Sequence, residues 1–581
     1  MALTTEQVLL LNNLMYMDSG NGSPMSRPDS GQTIGEWMSK IDVNQLQDDA
    51  QYGSFMTGAD WKNIISSVQN DPTISNMTIA TTHVDNTETG GGGYSAVFVS
   101  QDTGEAVVAF RGTAGGEWKD NFIGGNVTDT PQQQNALDWY RQVYDECGLD
   151  GYDVTVTGHS KGGNKSKYIT LMDDTVDHCV SFDGQGFSDK FMDKYAPEIA
   201  ARQGKIENHN VDYDYVNLLL NDIGKTTYYH GQDLGKGGFL ENHCPNTFMK
   251  YNADGSFTME VNPNGQAEEM KALDNFLNGY LRSMSDSDRN GALELVNAFI
   301  DDAFSLNKNM TPQEALDTFM KTVTDSRYAD DLAHLLAYTI KFEQTSPEFA
   351  EQIKSVLGEF GMSGFTQYVD IAKEVLNFEY TIEGPFGWSH TFTFDELLAI
   401  ATGAAGAIDG LTDVLNKLPW VNIDKNWALN LISDFIYKKF GIRLSGDDLR
   451  KLLEIVGMVS DDLADIQINR DGEDRKVADV SAGGASPAGQ IKVDLARMRN
   501  CADTLDSISR LLDRAADTVQ RNAANMRFKI LAAEQIREKL QSVESDLRLL
   551  ETRTKTLSGG LRDAARSYET TENNNVSILS T

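Results

Sequence analysis

Residues 158–166 read GHSKGGNKS, and how this stretch folds decides what the rest of the chain must be. From Gly158 to Gly162 it spells G-x-S-x-G, the sharp strand-to-helix turn that lifts a nucleophilic serine above a sheet. From Gly158 to Ser166 it nearly spells the phosphate-binding loop G-x-x-x-x-G-K-[ST]. Spacing separates the two. In a phosphate loop the lysine directly follows the second glycine, so that its ammonium reaches the terminal phosphates. Here Asn164 follows Gly163 and Lys165 comes one residue late. The serine reading needs no adjustment. Upstream, YDVTVT (152–157) alternates β-branched and aromatic residues as a strand does, and downstream NKSKYITLM can open a helix. Gly158 and Gly162 would relieve crowding where the strand turns into the helix. The pentapeptide alone is equally compatible with an ordinary strand–helix turn.

The flanking chain supplies the sheet. YSAVFVS (94–100) and EAVVAFRG (105–112) read as the two strands of a hairpin, and NALDWYRQVYDECG (135–148) as a helix. YDVTVTG, HCVSFDG (178–184) and YDYVNLLLND (213–222) read as further strands. Strands alternating with helices imply a mostly parallel sheet covered on both faces. Thr4 with Gln7 forms a capping box that opens an N-terminal helix. The expected fold class is therefore α/β: an α/β-hydrolase domain over residues 1–262, followed by an all-α region over 263–468. In that region, segments such as AEEMKALDNFLNGYLRSM and DLAHLLAYTIKF repeat apolar residues every three or four positions. DELLAIATGAAGAIDGLTDVL (395–415) reads as one closely packed core helix rather than a lid.

A serine hydroxyl needs a base to take its proton and an acid to orient that base. In this fold the chain order is serine, acid, histidine. Asp222 ends the apolar run YVNLLLND, where a strand's carboxyl end meets a loop, and is the preferred acid; Asp183 is the alternative. His243 lies in the polar loop LENHCPNTF and is the preferred base, with His230 the runner-up. His178 and His209 come too early for the role, and His334 sits on a later amphipathic helix. The oxyanion requires preorganised N–H donors. Lys161, directly after the nucleophile, and Thr113, at the strand exit AFRGT, are placed to give them.

VVAFRGT, Trp118, Asn121, VTVTGHSKGG and VNLLLNDIG, in that order, resemble class 3 lipases. The likeness is closer to the bacterial lipase-like proteins of the Mbeg1-like group, which share an N-terminal helix like LTTEQVLLLNNLMY, GEAVVAFRGT, GEWKDN and TGHSKGGNK. The resemblance spans about residues 1–262. It implies the triad Ser160, Asp222 and His243, with an acyl ester of a membrane lipid as substrate and no cofactor. Class 3 lipases usually carry Leu where Lys161 stands, and a cation beside the nucleophile favours anionic head groups.

The formal charge of −36 argues against a nucleic-acid partner. It is unevenly spread: residues 491–581 hold 15 Lys+Arg against 13 Asp+Glu, a net of +2, so the first 490 residues carry −38. The polar segment 469–490 reads as a linker. Beyond it, heptads such as Met498, Ala502, Leu505, Ile508 and Leu512, and later Ile536, Leu540, Val543 and Leu547, predict an antiparallel helical hairpin over 491–572, with a tail at 573–581. Tyr568 and Glu572 make Y-x-x-x-E just after it. The pattern resembles type VII secretion substrates of the LXG kind, with the hairpin at the other end of the chain and without a W-x-G turn. It implies small helical-hairpin secretion partners, an immunity protein, and a chain made in the cytoplasm and exported. A dimerisation tail is the alternative.

The N-terminus lacks a basic n-region and carries Glu6, so no Sec-type signal peptide is expected. No apolar run approaches the roughly 20 residues of a membrane span. The four cysteines are scattered and imply no disulfide framework. DSDRNGALE (286–294) begins like a calcium loop, but the twelfth position is Asn297, which gives no bidentate carboxylate. No zinc-type His or Cys spacing occurs, and no metal is expected. The sequence thus predicts a secreted serine lipase or phospholipase. The alternatives are a soluble carboxylesterase or thioesterase, or an inactive hydrolase fold serving as a scaffold.

Overall fold

The computed structural model describes residues 3–17, 24–53, 56–87, 92–113, 118–232, 239–252, 256–284, 289, 291–295, 314, 316, 319, 328–359, 362–383, 389–403, 411–416 and 423–465, and beyond these only 548, 555 and 562. The chain divides into two units, Met1–Val480 and Ser481–Thr581. The linker, all but three residues of the 491–572 segment including Tyr568 and Glu572, and most of the segment resembling a calcium loop lie outside the described residues.

Seven strands form one sheet in sequential order: β1 (Thr78–Asp85), β2 (Gly93–Ser100), β3 (Glu105–Phe110), β4 (Asp153–His159), β5 (His178–Phe182), β6 (Ile206–Val211) and β7 (Lys225–Tyr229). The first three pair antiparallel, and β3 to β7 run parallel. Right-handed crossovers between successive parallel neighbours put all the intervening helices on one face. Helices Pro131–Glu146, Lys161–Met172 and Ala196–Arg202 cover that face, burying Tyr140, Ile169 and Ile199 against Val108, Val156 and Cys179. The other face is covered mainly by the N-terminal segment, with Cys244, Phe248 and Met249 from the turn after β7. Helix Thr5–Leu14, closed by the Thr4–Gln7 capping box, and helix Gly58–Asn70 bury Leu9, Leu11, Trp61 and Ile65 against Phe98, Val107 and Phe182.

Two expectations about secondary structure fail for stated reasons. YDYVNLLLND is not a strand; the strand is β6, one segment earlier, and residues 212–220 turn away from the sheet. Leu218 there joins the core of the following helical region, Tyr215 and Leu219 pack against it, and Leu220 takes a positive φ of 69°. Asn278 on helix Glu268–Arg282 grips the turn, its Nδ2 donating to the Leu218 carbonyl and its Oδ1 accepting from the Leu220 N–H, both at 2.9 Å. Apolarity in this run serves contact with the helices rather than strand burial. The helix expected over 395–415 also stops early. It runs Phe394–Thr402 and ends on Gly403 at φ 84°, the left-handed cap that glycine favours. Leu397 and Ile400 are buried in the core, as a core helix requires.

The helical region is built from Glu268–Arg282, Ala329–Thr345, Pro347–Glu359, Ser363–Leu376, Phe394–Thr402, Leu411–Asn416, Lys425–Phe440 and Gly446–Asp465 around a core of its own. A small hairpin, Tyr380–Glu383 with Ser389–Phe392, joins it. Among the described residues no helix is long and apolar enough to cross a membrane.

Candidate active site

The serine turn is built as the sequence predicts. β4 ends at His159, helix Lys161–Met172 begins one residue after Ser160, and Ser160 is held at φ 61°, ψ −126°. Such a backbone costs about 1–3 kcal/mol and persists only where its surroundings enforce it. Glycine makes it possible. A Cβ on Gly162 would sit 2.1 Å from the Phe110 carbonyl oxygen, and one on Gly158 would sit 2.2 Å from the Gly162 carbonyl carbon. The Ser160 N–H donates to the Phe182 carbonyl at 2.9 Å, tying the turn to β5.

The acid beside His243 is Asp214, not Asp222. Its Oδ2 lies 2.5 Å from His243 Nδ1, while its Oδ1 accepts the Val216 and Asn217 N–H groups at 2.8 Å each. Asp214 is fully buried. Asp214 lies just beyond the carboxyl end of β6. Asp222 pairs instead with the buried Lys167 Nζ at 2.7 Å and accepts from Thr226 Oγ1 at 3.1 Å. It is the counter-ion of the helix behind the serine.

His243 closes the short 3₁₀ turn Phe239–His243 after β7. Its ring stacks on the ring of His159, with centroids 4.6 Å apart and planes at 30°, and Tyr215 flanks it at 5.4 Å. His159 immediately precedes Ser160, so the stack brings the Asp214–His243 pair to the serine turn. His230, the runner-up, pairs with Asp212 at 2.9 Å on a more exposed edge. His209 bonds Tyr229 Oη at 2.8 Å, His178 faces Asp153 at 3.4 Å, and His334 bonds Ser283 Oγ at 2.8 Å.

Gly112 brings the strand exit against the serine: a Cβ there would lie 3.0 Å from Ser160 Cβ. Thr113 follows, its Oγ1 accepting from Asn121 Nδ2 at 2.9 Å. Lys161 opens the helix, where first-turn N–H groups point out of the N-terminal end. Its side chain does not face a substrate. Lys161 Nζ is buried on Asp120 at 2.6 Å, so its charge is matched inside the protein and is not presented to a head group.

Sequence reasoning missed Tyr16 and the part played by Asp183. Tyr16, just past the N-terminal helix, bonds His159 Nδ1 at 2.6 Å through its hydroxyl, which also accepts the Gly112 N–H at 3.1 Å. Only the fold brings it there. Asp183 is fully buried at the end of β5, with φ 43°. Its Oδ1 accepts the Val211 N–H at 2.7 Å and Asn217 Nδ2 at 2.9 Å. Burial first, then the Asp214 charge, pushes its carboxyl well above the ordinary range. Burial, then the neighbouring His243, pushes the His159 imidazole well below its ordinary 6.5, so it stays neutral.

A mixed, mostly parallel sheet with a strained serine between strand and helix, flanked by a buried aspartate paired to a half-buried histidine, defines an α/β-hydrolase type of fold. Residues 69–296 match the family model described as Mbeg1-like. Three solved structures show distant likeness. A fungal lipase–inhibitor complex, reported as a model for interfacial activation, is 13% identical over 28% of this chain and 69% of that one, with a TM-score of 0.22. The triacylglycerol lipase of Penicillium expansum is 14% identical over 27% and 71%, with a TM-score of 0.20. The Lip2 lipase of Yarrowia lipolytica is 12% identical over 44% and 84%, with a TM-score of 0.26. No curated protein matches the chain. At these scores the structural likeness carries no weight for activity, which rests on the geometry of the site.

Proposed function

We propose that the chain hydrolyses acyl esters through Ser160, His243 and Asp214. The observation that carries this reading is the pair of buried Asp214 and half-buried His243, stacked on His159 beside a serine held at φ 61°. His243 Nε2 takes the Ser160 proton as Oγ bonds the acyl carbon. Asp214 fixes the proton on Nδ1 and stabilises the imidazolium. The tetrahedral oxyanion is met by the N–H groups of Lys161 and Thr113. Collapse breaks the ester C–O bond, and His243 gives the proton to the departing alkoxide. Water, deprotonated by the same nitrogen, then releases the acid and restores Ser160.

The substrate class in this reading is a membrane lipid, cleaved in the manner of a lipase or phospholipase. The Mbeg1-like match over 69–296 and the order of the motifs around AFRGT and GHSKGG support it. The heptad pattern over 491–572 with Tyr568 and Glu572, and the charge change at its start, support export as a type VII effector with small helical-hairpin partners and an immunity protein. Ester hydrolysis by purified Ser160→Ala protein tests the core of the reading. The variant should lose at least about a thousandfold in kcat while melting like the parent. Near-parental turnover would overturn it.

A further inference from the structure

The site holds more polar donors than ester hydrolysis uses. One nitrogen of His159, one nitrogen of His243 and one carboxylate oxygen of Asp183 all lie within 4.8 Å of one another. Nδ1 of each ring is engaged, by Tyr16 Oη and by Asp214 Oδ2, and Asp183 Oδ1 is held by two donors. That leaves His159 Nε2, His243 Nε2 and Asp183 Oδ2, and none of these buried atoms has a hydrogen-bond partner among the described residues. A buried polar atom left unmatched costs about 1–3 kcal/mol. Three such atoms in one small space point to a shared ligand.

Their chemistry selects a cation. Two imidazoles and a carboxylate are the donor set of three-ligand zinc sites, which leave a fourth position open. The outer contacts fit as well. Metal-bound histidines hand their other N–H to a carboxylate or another oxygen, which fixes ring and tautomer. His243 does so with Asp214, and the His159 Nδ1 lies 2.6 Å from the Tyr16 hydroxyl. Zinc–donor bonds of about 2.0–2.2 Å at tetrahedral angles set donors roughly 3.4 Å apart. The three donors lie within 4.8 Å of one another, so filling the site requires the two stacked imidazoles to turn toward a common point.

We propose that His159, Asp183 and His243 form a three-donor site for a zinc-type divalent ion, and that filling it silences the hydrolase. The ion takes the His243 nitrogen that would accept the serine proton. The silencing rests on His243 being the base; the binding site does not. Three residues distant in sequence, on β4, β5 and the turn after β7, make the site only in the folded chain.

The test uses the full chain stripped of metal, with zinc itself as the probe in competition with a chromophoric chelator. Ser160→Ala protein should bind one equivalent at this site as tightly as the parent. Asp183→Asn and His159→Gln should each weaken that binding at least about a hundredfold, the upper end of what even outer-shell changes cost. Thermal melts confirm that each variant is folded. In the parent, ester hydrolysis should fall in step with occupancy and return on chelation. Zinc binding that survives both substitutions, or no binding in folded Ser160→Ala protein, overturns the site. Binding lost on substitution but without effect on a working hydrolase overturns the silencing alone. A protein without hydrolase activity that still binds zinc through these residues keeps the site and refutes the proposed function.

Discussion

Asp214→Asn set beside Asp222→Asn separates catalysis from stability within one fold. Asp214 Oδ1 accepts two backbone N–H groups at 2.8 Å, so an asparagine there must keep its carbonyl oxygen on that side. Its amide NH₂ then faces His243 Nδ1, which must accept and so carry its proton on Nε2. That tautomer cannot take the proton from Ser160. The equivalent change in a serine-protease triad costs about 10⁴ in kcat, or about 5 kcal/mol of barrier. Size and most hydrogen bonds are kept, so the melting temperature should move little. Asp222→Asn should do the reverse. Lys167 is fully buried, and losing its partner's charge costs about 3–5 kcal/mol of stability. Turnover per folded molecule should stay within a few-fold of the parent. Chromogenic-ester kinetics with urea unfolding on the same preparations decide between the two. A folded Asp222→Asn protein slowed a thousandfold, with Asp214→Asn nearly active, would refute the assignment.

Three further outcomes are expected. Gly162→Ala places a Cβ 2.1 Å from the Phe110 carbonyl oxygen, so it should cost about 3 kcal/mol and disturb the serine turn; urea midpoint and soluble yield report it. His159 is held neutral by burial, so the unfolded chain binds its proton first as pH falls below 6.5. Stability from this group is present above 6.5 and lost on acidification, and His159→Gln should flatten the acid limb of a melting profile. Deleting residues 491–572 should abolish export but leave ester hydrolysis by the purified protein intact, while the deleted segment co-purifies with small helical-hairpin partners. Hydrolysis lost with the tail would contradict that division of labour.

The sequence by itself determined the serine turn, because its requirements are local. A β-branched strand, two glycines at fixed offsets and a helix-forming segment lie within some twenty residues, and the structure uses each as its chemistry dictates. The β2–β3 hairpin and the capped N-terminal helix were legible for the same reason. His243 was reachable by chain order and loop polarity, and the structure places it against Asp214. Only the tertiary structure decided the acid. The run YVNLLLN is apolar enough for a strand, yet its leucines answer to a helix some sixty residues later through Asn278, and Asp214, just before them, meets His243. Lys161 shows the same limit. Read in line it is a cation beside the nucleophile; folded, it is neutralised by Asp120 in the interior. Tyr16, His159 and Asp183 carry no local signature because their partners lie on other strands and loops. Spacing along a chain reports chemistry whose parts are neighbours in sequence; a site gathered from strand ends across a sheet exists only once the strands have found their order.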